Sequence, residues 1–119
     1  MILLIISPMT MRMNKTTKKL DNNVIKALTL VCDSAKEDIE GFVWLTHTAD
    51  YSRFPGSLRV ICVFASDAQL IAAQAQGLDQ RLIKDIHQSL FTAGILLKNA
   101  KQHVTFDSEE SGAEARWLS

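Results

Sequence analysis

The chain is poor in the residues that build recognisable chemical sites. Its five glycines are isolated from one another, which excludes the glycine-rich loop that cradles phosphate groups. Its two cysteines, Cys32 and Cys62, both fall in apolar stretches, and this placement predicts buried free thiols. None of the serines stands in a nucleophile-elbow motif. We therefore expect a protein that is not an enzyme and that carries no cofactor.

Long apolar runs are also lacking. The run at residues 2–6 is too short for a secretory signal or a membrane span. We expect a cytoplasmic protein with no membrane association. Residues 1–19 are predicted to be a flexible leader, and the closely spaced Met11 and Met13 suggest a start that was assigned too early.

The charge balance excludes a strong nonspecific polyanion binder. The 13 basic and 13 acidic residues cancel, whereas such binders carry an overall basic excess. A local basic patch remains compatible with this balance. Basic residues are concentrated near the start of the chain and acidic residues near its end, so the two ends should attract each other or bind different things.

The first half of the chain predicts a helix followed by a β-hairpin. Apolar residues recur at three- and four-residue intervals from Leu20 to Ile39, with Asp21 or Asn22 as the expected cap. Residues 42–50 have strand composition, and their alternation places Phe42 on the same face as Trp44. A Pro-Gly turn then precedes residues 57–64, an apolar run typical of a central strand.

The second half predicts two short helices and a third strand. Ser66 and Gln69 fit a capping box, and Gly77 should break the helical segment that follows. Residues 102–108 alternate as an edge strand. The order α-β-β-α-α-β, with a right-handed crossover, predicts an α+β fold: a three-stranded mixed sheet in the order 1-2-3, with the helices on one face. We expect one domain over residues 20–108 and a disordered acidic tail over residues 109–119.

This order of elements resembles the type II KH fold. Within that fold it is similar to ribosome-binding factor A, whose helix pair bends at an Ala-x-Gly sequence; Ala75-Gln76-Gly77 stands at the corresponding place. The resemblance covers roughly residues 20–108. It implies binding of RNA or ribosomal particles, with the helix break against the nucleic-acid backbone.

A second resemblance concerns short sequence motifs. WLTH, FPGSL, CVF and QHVTFDSEE are similar to small bacterial proteins labelled Fis-family transcriptional regulators. That label implies DNA binding by a C-terminal helix-turn-helix, whereas QHVTFDS has the pattern of a strand.

The KH resemblance places the candidate nucleic-acid contacts, to RNA or DNA, at the helix break. These residues are Gln76, Gly77, Arg81 and Lys84. The beginning of a helix favours anions, although Asp79 opposes this with a negative charge at the same place. This gives the first hypothesis, a small nucleic-acid-binding protein that is RNA- or ribosome-associated or resembles a transcriptional regulator.

Two other hypotheses stay open. Tyr51 and Phe54 are the aromatic pair most expected to be exposed, and with the edge strand they favour a protein-interaction or homodimerisation module. The third hypothesis is an enzyme using His103 and Asp107. No metal site is expected: the polar candidates are His47, His103, Asp107 and Glu109, and a central strand should hold the two histidines about 10 Å apart.

Overall fold

A computed structural model describes residues 15–118 of the chain. The helices are α1 (Lys15–Asp38), α2 (Asp67–Ala75), α3 (Leu78–Thr92) and α4 (Ala113–Leu118). The strands are β1 (Phe42–Thr48), β2 (Arg59–Phe64) and β3 (Val104–Ser108). Two short 3₁₀ helices, Tyr51–Arg53 and Ala100–His103, precede β2 and β3. Among residues 15–118, no helix combines the length and apolar character needed to cross a bilayer.

The strands form the predicted three-stranded mixed sheet in the order β1-β2-β3. β1 pairs with β2 in antiparallel fashion, and β2 pairs with β3 in parallel fashion. The last five residues of β2, Val60 to Phe64, are all 0% exposed, as a central strand covered on both faces requires. The α+β class, the strand order and the central position of β2 are confirmed.

Helices α1, α2 and α3 cover one face of the sheet, as predicted. Val60, Cys62 and Phe64 of β2 point into this main core, together with the apolar stripe of α1 and with Leu82, Ile86 and Leu90 of α3. The α1 and α3 helices run antiparallel, because Asp38 at the end of α1 meets Arg81 near the start of α3, and Ala27 meets Ser89.

A bulge in β1 corrects the predicted facing of Phe42. Phe42 pairs with Phe64 but Trp44 pairs with Val63, so one residue is extra between them. Phe42 therefore points into the main core, where its ring meets Phe64 edge to face at 5.8 Å. Trp44 points to the opposite face with Ile61 and Val63. The prediction that Phe42 and Trp44 share a face is wrong.

The prediction that residues 109–119 are disordered is also wrong, because residues 113–118 form α4. Ala113 is fully buried in a second cluster with Trp44, Ile61 and Val63, and Trp117 and Leu118 pack against it. The indole Nε1 of Trp117 donates to Asp107 Oδ2 at 2.6 Å. The sheet therefore has helices on both faces, and this second cover explains why β2 is buried on both sides.

The prediction of a flexible leader is wrong for Lys15–Lys19, which belong to α1. Its other residues, Met11 and Met13 among them, lie outside the described residues.

Candidate functional site

The break between α2 and α3 is present where the sequence predicts it. The hydroxyl of Ser66 accepts a hydrogen bond from the Gln69 backbone at 3.1 Å, which caps α2. α2 ends at Ala75 with Gln76 as its C-cap, and Gly77 then takes the left-handed conformation, with φ of +75°. This conformation suits glycine because it has no Cβ.

Carboxylates surround the predicted contact residue Arg81. Its Nη2 donates to Asp38 Oδ2 at 2.7 Å, and its Nε lies 3.6 Å from Asp85 Oδ2. The hydrogen bond that Arg81 donates to Asp38 is the main reason that the pKa of Arg81 is raised. Asp79 adds a negative charge to the first turn of α3. The positive charge of Arg81 is therefore balanced within the protein, which weakens its attraction for phosphate.

Lys84 lies one turn further along α3 and away from the helix break. It lines a shallow groove of about 390 Å³ whose other walls include Phe91 and Leu96. The structure thus does not gather Gln76, Gly77, Arg81 and Lys84 into one positive surface. Their role in nucleic-acid binding stays a prediction.

The exposed charges separate towards the two ends of the molecule. We name the end that holds the start of α1, the β1–β2 connection and the starts of β2 and β3 the basic end. Its exposed cations are Lys15, Lys18, Lys19, Arg53, Arg59, Lys98 and Lys101. The opposite, acidic end holds the Gly77 break, and its carboxylates include Glu37, Asp38, Glu40, Asp67, Asp79, Glu109 and Glu110.

The direction of each element explains this separation. Because β1 and β2 are antiparallel and β2 and β3 are parallel, the end of β1 and the starts of β2 and β3 lie at the same end of the sheet. The start of α1 lies near this end too, because Asp21 in its second turn contacts His47 and Tyr51. Residues distant in sequence thereby bring their cations together.

Carboxylates make few contacts with the cations of the basic end. Within residues 15–118, none of the seven forms an ion pair, whereas Arg81 and Arg116 at the acidic end both do. Asp50 is an exposed carboxylate at the basic end; it accepts hydrogen bonds from the backbone and hydroxyl of Ser52 and also attracts Arg53. A local positive surface therefore exists on a chain whose net charge is zero.

A cavity of about 530 Å³ opens within the basic end. Pro55 and Gly56 from the β1–β2 connection form one wall, and Leu96 and Leu97 contribute apolar surface from the segment before β3. The polar lining consists of Lys98, Asn99, Gln102 and His103. The volume falls within the range of roughly 300–1,000 Å³ that is typical of small-molecule sites.

His103 contributes a ring with a defined tautomer to this cavity. Its Nδ1 lies 2.6 Å from the carbonyl oxygen of Leu58. Because a carbonyl oxygen can only accept, Nδ1 carries the proton, and in the neutral ring Nε2 is left as an acceptor. The ring is half-buried and lies just before β3.

A buried polar network links α1 to the β-hairpin. Asp21 Oδ1 accepts hydrogen bonds from His47 Nε2 at 3.1 Å and from the Tyr51 hydroxyl at 2.5 Å. His47 is 0% exposed and Asp21 only 7%. The prediction that Asp21 or Asn22 caps α1 is wrong, because the helix begins at Lys15. A signal against a cap was present, because Asp21 precedes Val24 and Leu28 at the spacing of the apolar stripe.

Tyr51 and Phe54 support the loop and do not form an exposed pair. Both are half-buried against the main core, and their rings lie 5.0 Å apart. The hydroxyl of Tyr51 is engaged by Asp21, and burial is the main reason that the pKa of Tyr51 is raised. The prediction that this pair is exposed is wrong, and its proposed partner contact loses its structural basis.

The four polar residues weighed as metal ligands lie apart. His47 faces α1, His103 binds Leu58, and Glu109 Oε2 accepts from Trp44 Nε1 at 2.9 Å. Partial burial opposes ionisation of Asp107, but hydrogen bonds from Arg116, Trp117 and Ser111 outweigh it and hold the pKa of Asp107 at about 2. Among residues 15–118, no three potential ligands converge on one point.

The buried histidine predicts a loss of stability in mild acid. Burial lowers the pKa of His47, and the hydrogen bond and charge of Asp21 offset only part of this effect. In the unfolded chain the histidine pKa is about 6.5. Below that pH the unfolded state binds the proton more readily than the folded state, so stability is greatest above it and declines as pH falls towards the lowered value.

We expect the unfolding free energy, measured by urea denaturation, to fall between about pH 7 and pH 5.5, with a slope of at most about 1.4 kcal/mol per pH unit from this group. The His47→Gln variant should show a shallower decline over the same range. An equal slope in both proteins would contradict the assignment to His47.

The chain matches no family model, no curated protein and no solved structure. Any assignment of function therefore rests on the sequence and the structure.

Proposed function

We propose that this protein binds nucleic acid, without catalysis, through phosphate contacts at its basic end. The observation that carries the proposal is the group of seven exposed cations at one end, none of which forms an ion pair within residues 15–118, on a chain with no net charge. Lysine and arginine side chains bind phosphates by releasing condensed counterions from the nucleic acid. A neutral chain gains this interaction only where its cations are concentrated.

The acidic end should also orient the protein relative to the nucleic acid. Carboxylates at that end repel phosphates, so a strand approaching the protein should meet the basic end first. This placement differs from the contact at Gln76, Gly77, Arg81 and Lys84 that the KH resemblance implies. The resemblance itself stays a prediction, and the two placements make opposite predictions for matched variants.

The test uses the full chain with short labelled RNA and DNA strands in fluorescence anisotropy titrations. We expect affinity to fall steeply between about 50 and 200 mM salt, with a log–log slope near −3 if about four phosphates are contacted. Lys98→Glu with Lys101→Glu should weaken binding about 100-fold, because it removes two contacts and adds two repulsions. Parallel RNA and DNA titrations decide which strand is preferred.

Arg81→Glu with Lys84→Glu is the matched control, since it changes the net charge equally at two α3 residues that lie outside the basic end. We expect it to alter affinity by less than about threefold, with folding checked by circular dichroism. If this control abolishes binding and the Lys98–Lys101 variant does not, the contact lies at the helix break. Binding that is absent or insensitive to salt would refute the nucleic-acid proposal.

Homodimerisation is the second candidate function, and exposed apolar side chains favour it. Phe91 and Leu96 are each 61% exposed beside the groove that Lys84 lines. β3 lies at the edge of the sheet, where a strand can accept a partner. A molar mass, measured by light scattering, that corresponds to a monomer even at high protein concentration would exclude homodimerisation.

A further inference from the structure

We infer that the cavity at the basic end receives one unstacked base of a single-stranded nucleic acid. This inference rests on the proposed function and assigns it a substrate class. It combines three features of the described residues: a cavity of suitable size, a lining that matches the edge of a base, and cations positioned for the flanking phosphates.

The cavity has both an apolar and a polar side. Pro55 and Leu96 offer apolar surface to the faces of a flat ring. The carboxamides of Asn99 and Gln102 each provide a donor and an acceptor, the combination that the hydrogen-bonding edges of bases require. In its neutral form, His103 adds an aromatic ring with an acceptor at Nε2. A purely anionic ligand would make no use of the amide acceptors.

The charges around the cavity favour a strand over a free base. Lys98 lines the cavity itself, and Lys101 lies in the 3₁₀ helix that leads to β3. Arg53 and Arg59 flank the lining residues Pro55 and Gly56 in the sequence, in and after the β1–β2 connection. Phosphates on either side of an inserted base would therefore meet cations in both directions along the strand.

The cavity also selects against a duplex. A base within a duplex is stacked and paired, and it reaches a recessed pocket only after unpairing, which costs free energy. A base in a single strand is already free to turn outward. We therefore expect single-stranded RNA or DNA to bind more tightly than a duplex of the same sequence.

Abasic strands provide the decisive probe, because they keep the phosphates and lack the bases. In anisotropy titrations with the full wild-type chain, we expect an intact RNA or DNA strand to bind about tenfold more tightly than an abasic strand of equal length. Equal affinity of intact and abasic strands would overturn the inference but leave the phosphate contacts of the proposed function in place. Absence of binding to every strand would overturn both.

A charge-neutral pocket variant provides the second arm. Asn99→Ala with Gln102→Ala removes both carboxamides, and the Asn99 side chain makes no capping hydrogen bond whose loss would affect the fold. We expect about tenfold weaker binding of the intact strand and unchanged binding of the abasic strand. By contrast, Lys98→Glu with Lys101→Glu should weaken binding of the intact strand and of the abasic strand alike. A pocket variant that weakens both strands equally, or neither, would contradict the inference; should it fail to fold, the wild-type comparison decides alone.

Discussion

Replacing Asp21 with alanine is expected to lower the unfolding free energy by about 3 kcal/mol. The substitution removes the acceptor shared by His47 Nε2 and the Tyr51 hydroxyl, which lie 3.1 and 2.5 Å from Asp21 Oδ1. A buried donor that loses its partner costs about 1–3 kcal/mol. His47 is especially sensitive, because within the described residues its Nδ1 already has no hydrogen-bond partner.

Two companion variants separate the hydrogen bonds from other effects. Asp21→Asn keeps an acceptor oxygen and should retain most of the stability lost in Asp21→Ala. Asp33→Ala removes an exposed carboxylate from the same helix and should change the unfolding free energy by less than about 0.5 kcal/mol. Urea denaturation followed by tryptophan fluorescence measures all three. Similar values for Asp21→Ala and Asp33→Ala would show that the network contributes little.

Replacing Gly41 with alanine is the second prediction with a large effect, again about 3 kcal/mol. Gly41 joins α1 to β1 with φ of +88°, a conformation that costs an alanine roughly 1–2 kcal/mol. A Cβ at this position would also lie 2.6 Å from Cβ of Gln69 and 2.8 Å from its Cδ. Relieving that overlap requires α2 to move, and overpacking of this kind typically costs about 1–3 kcal/mol.

Gly77→Ala is the matched control for Gly41→Ala. Gly77 has nearly the same backbone conformation, with φ of +75°, but no atom lies within 4 Å of the position a Cβ would take. This variant should show only the backbone cost, so we expect it to be about 2 kcal/mol more stable than Gly41→Ala in urea denaturation. Equal destabilisation of the two variants would indicate that α2 shifts without cost.

The features that were predicted correctly depend on neighbours in the sequence. The run from Val60 to Phe64 predicts a strand buried on both faces, because each of its residues is apolar. The break at Gly77 follows from the local cost of glycine in a helix. The strand order follows from the tendency of consecutive strands to lie side by side, with the helical connection of α2 and α3 making β2 and β3 parallel. Such signals are read from periodicity without knowledge of distant contacts.

The features that were missed depend on residues far apart in the chain. Strict alternation in β1 hides the bulge that turns Phe42 away from Trp44. The acidic composition of the tail suggested disorder, but Ala113 and Trp117 find a partner surface on the second face of the sheet. Composition measures whether a segment can bury apolar area by itself, whereas α4 uses apolar area that β1 and β2 leave uncovered.

By itself, the sequence determined the α+β class, the central strand, the helix break and the overall neutrality of the chain. Only the tertiary structure decided where the charges go, since antiparallel and parallel strand pairing brings the start of α1, the β1–β2 connection and the segment before β3 to one end. It likewise decided that Asp21 is a buried acceptor and that a cavity opens beside Lys98. The physical reason is that hydrophobic periodicity specifies local elements, whereas a binding surface is assembled from side chains whose proximity arises only when those elements pack.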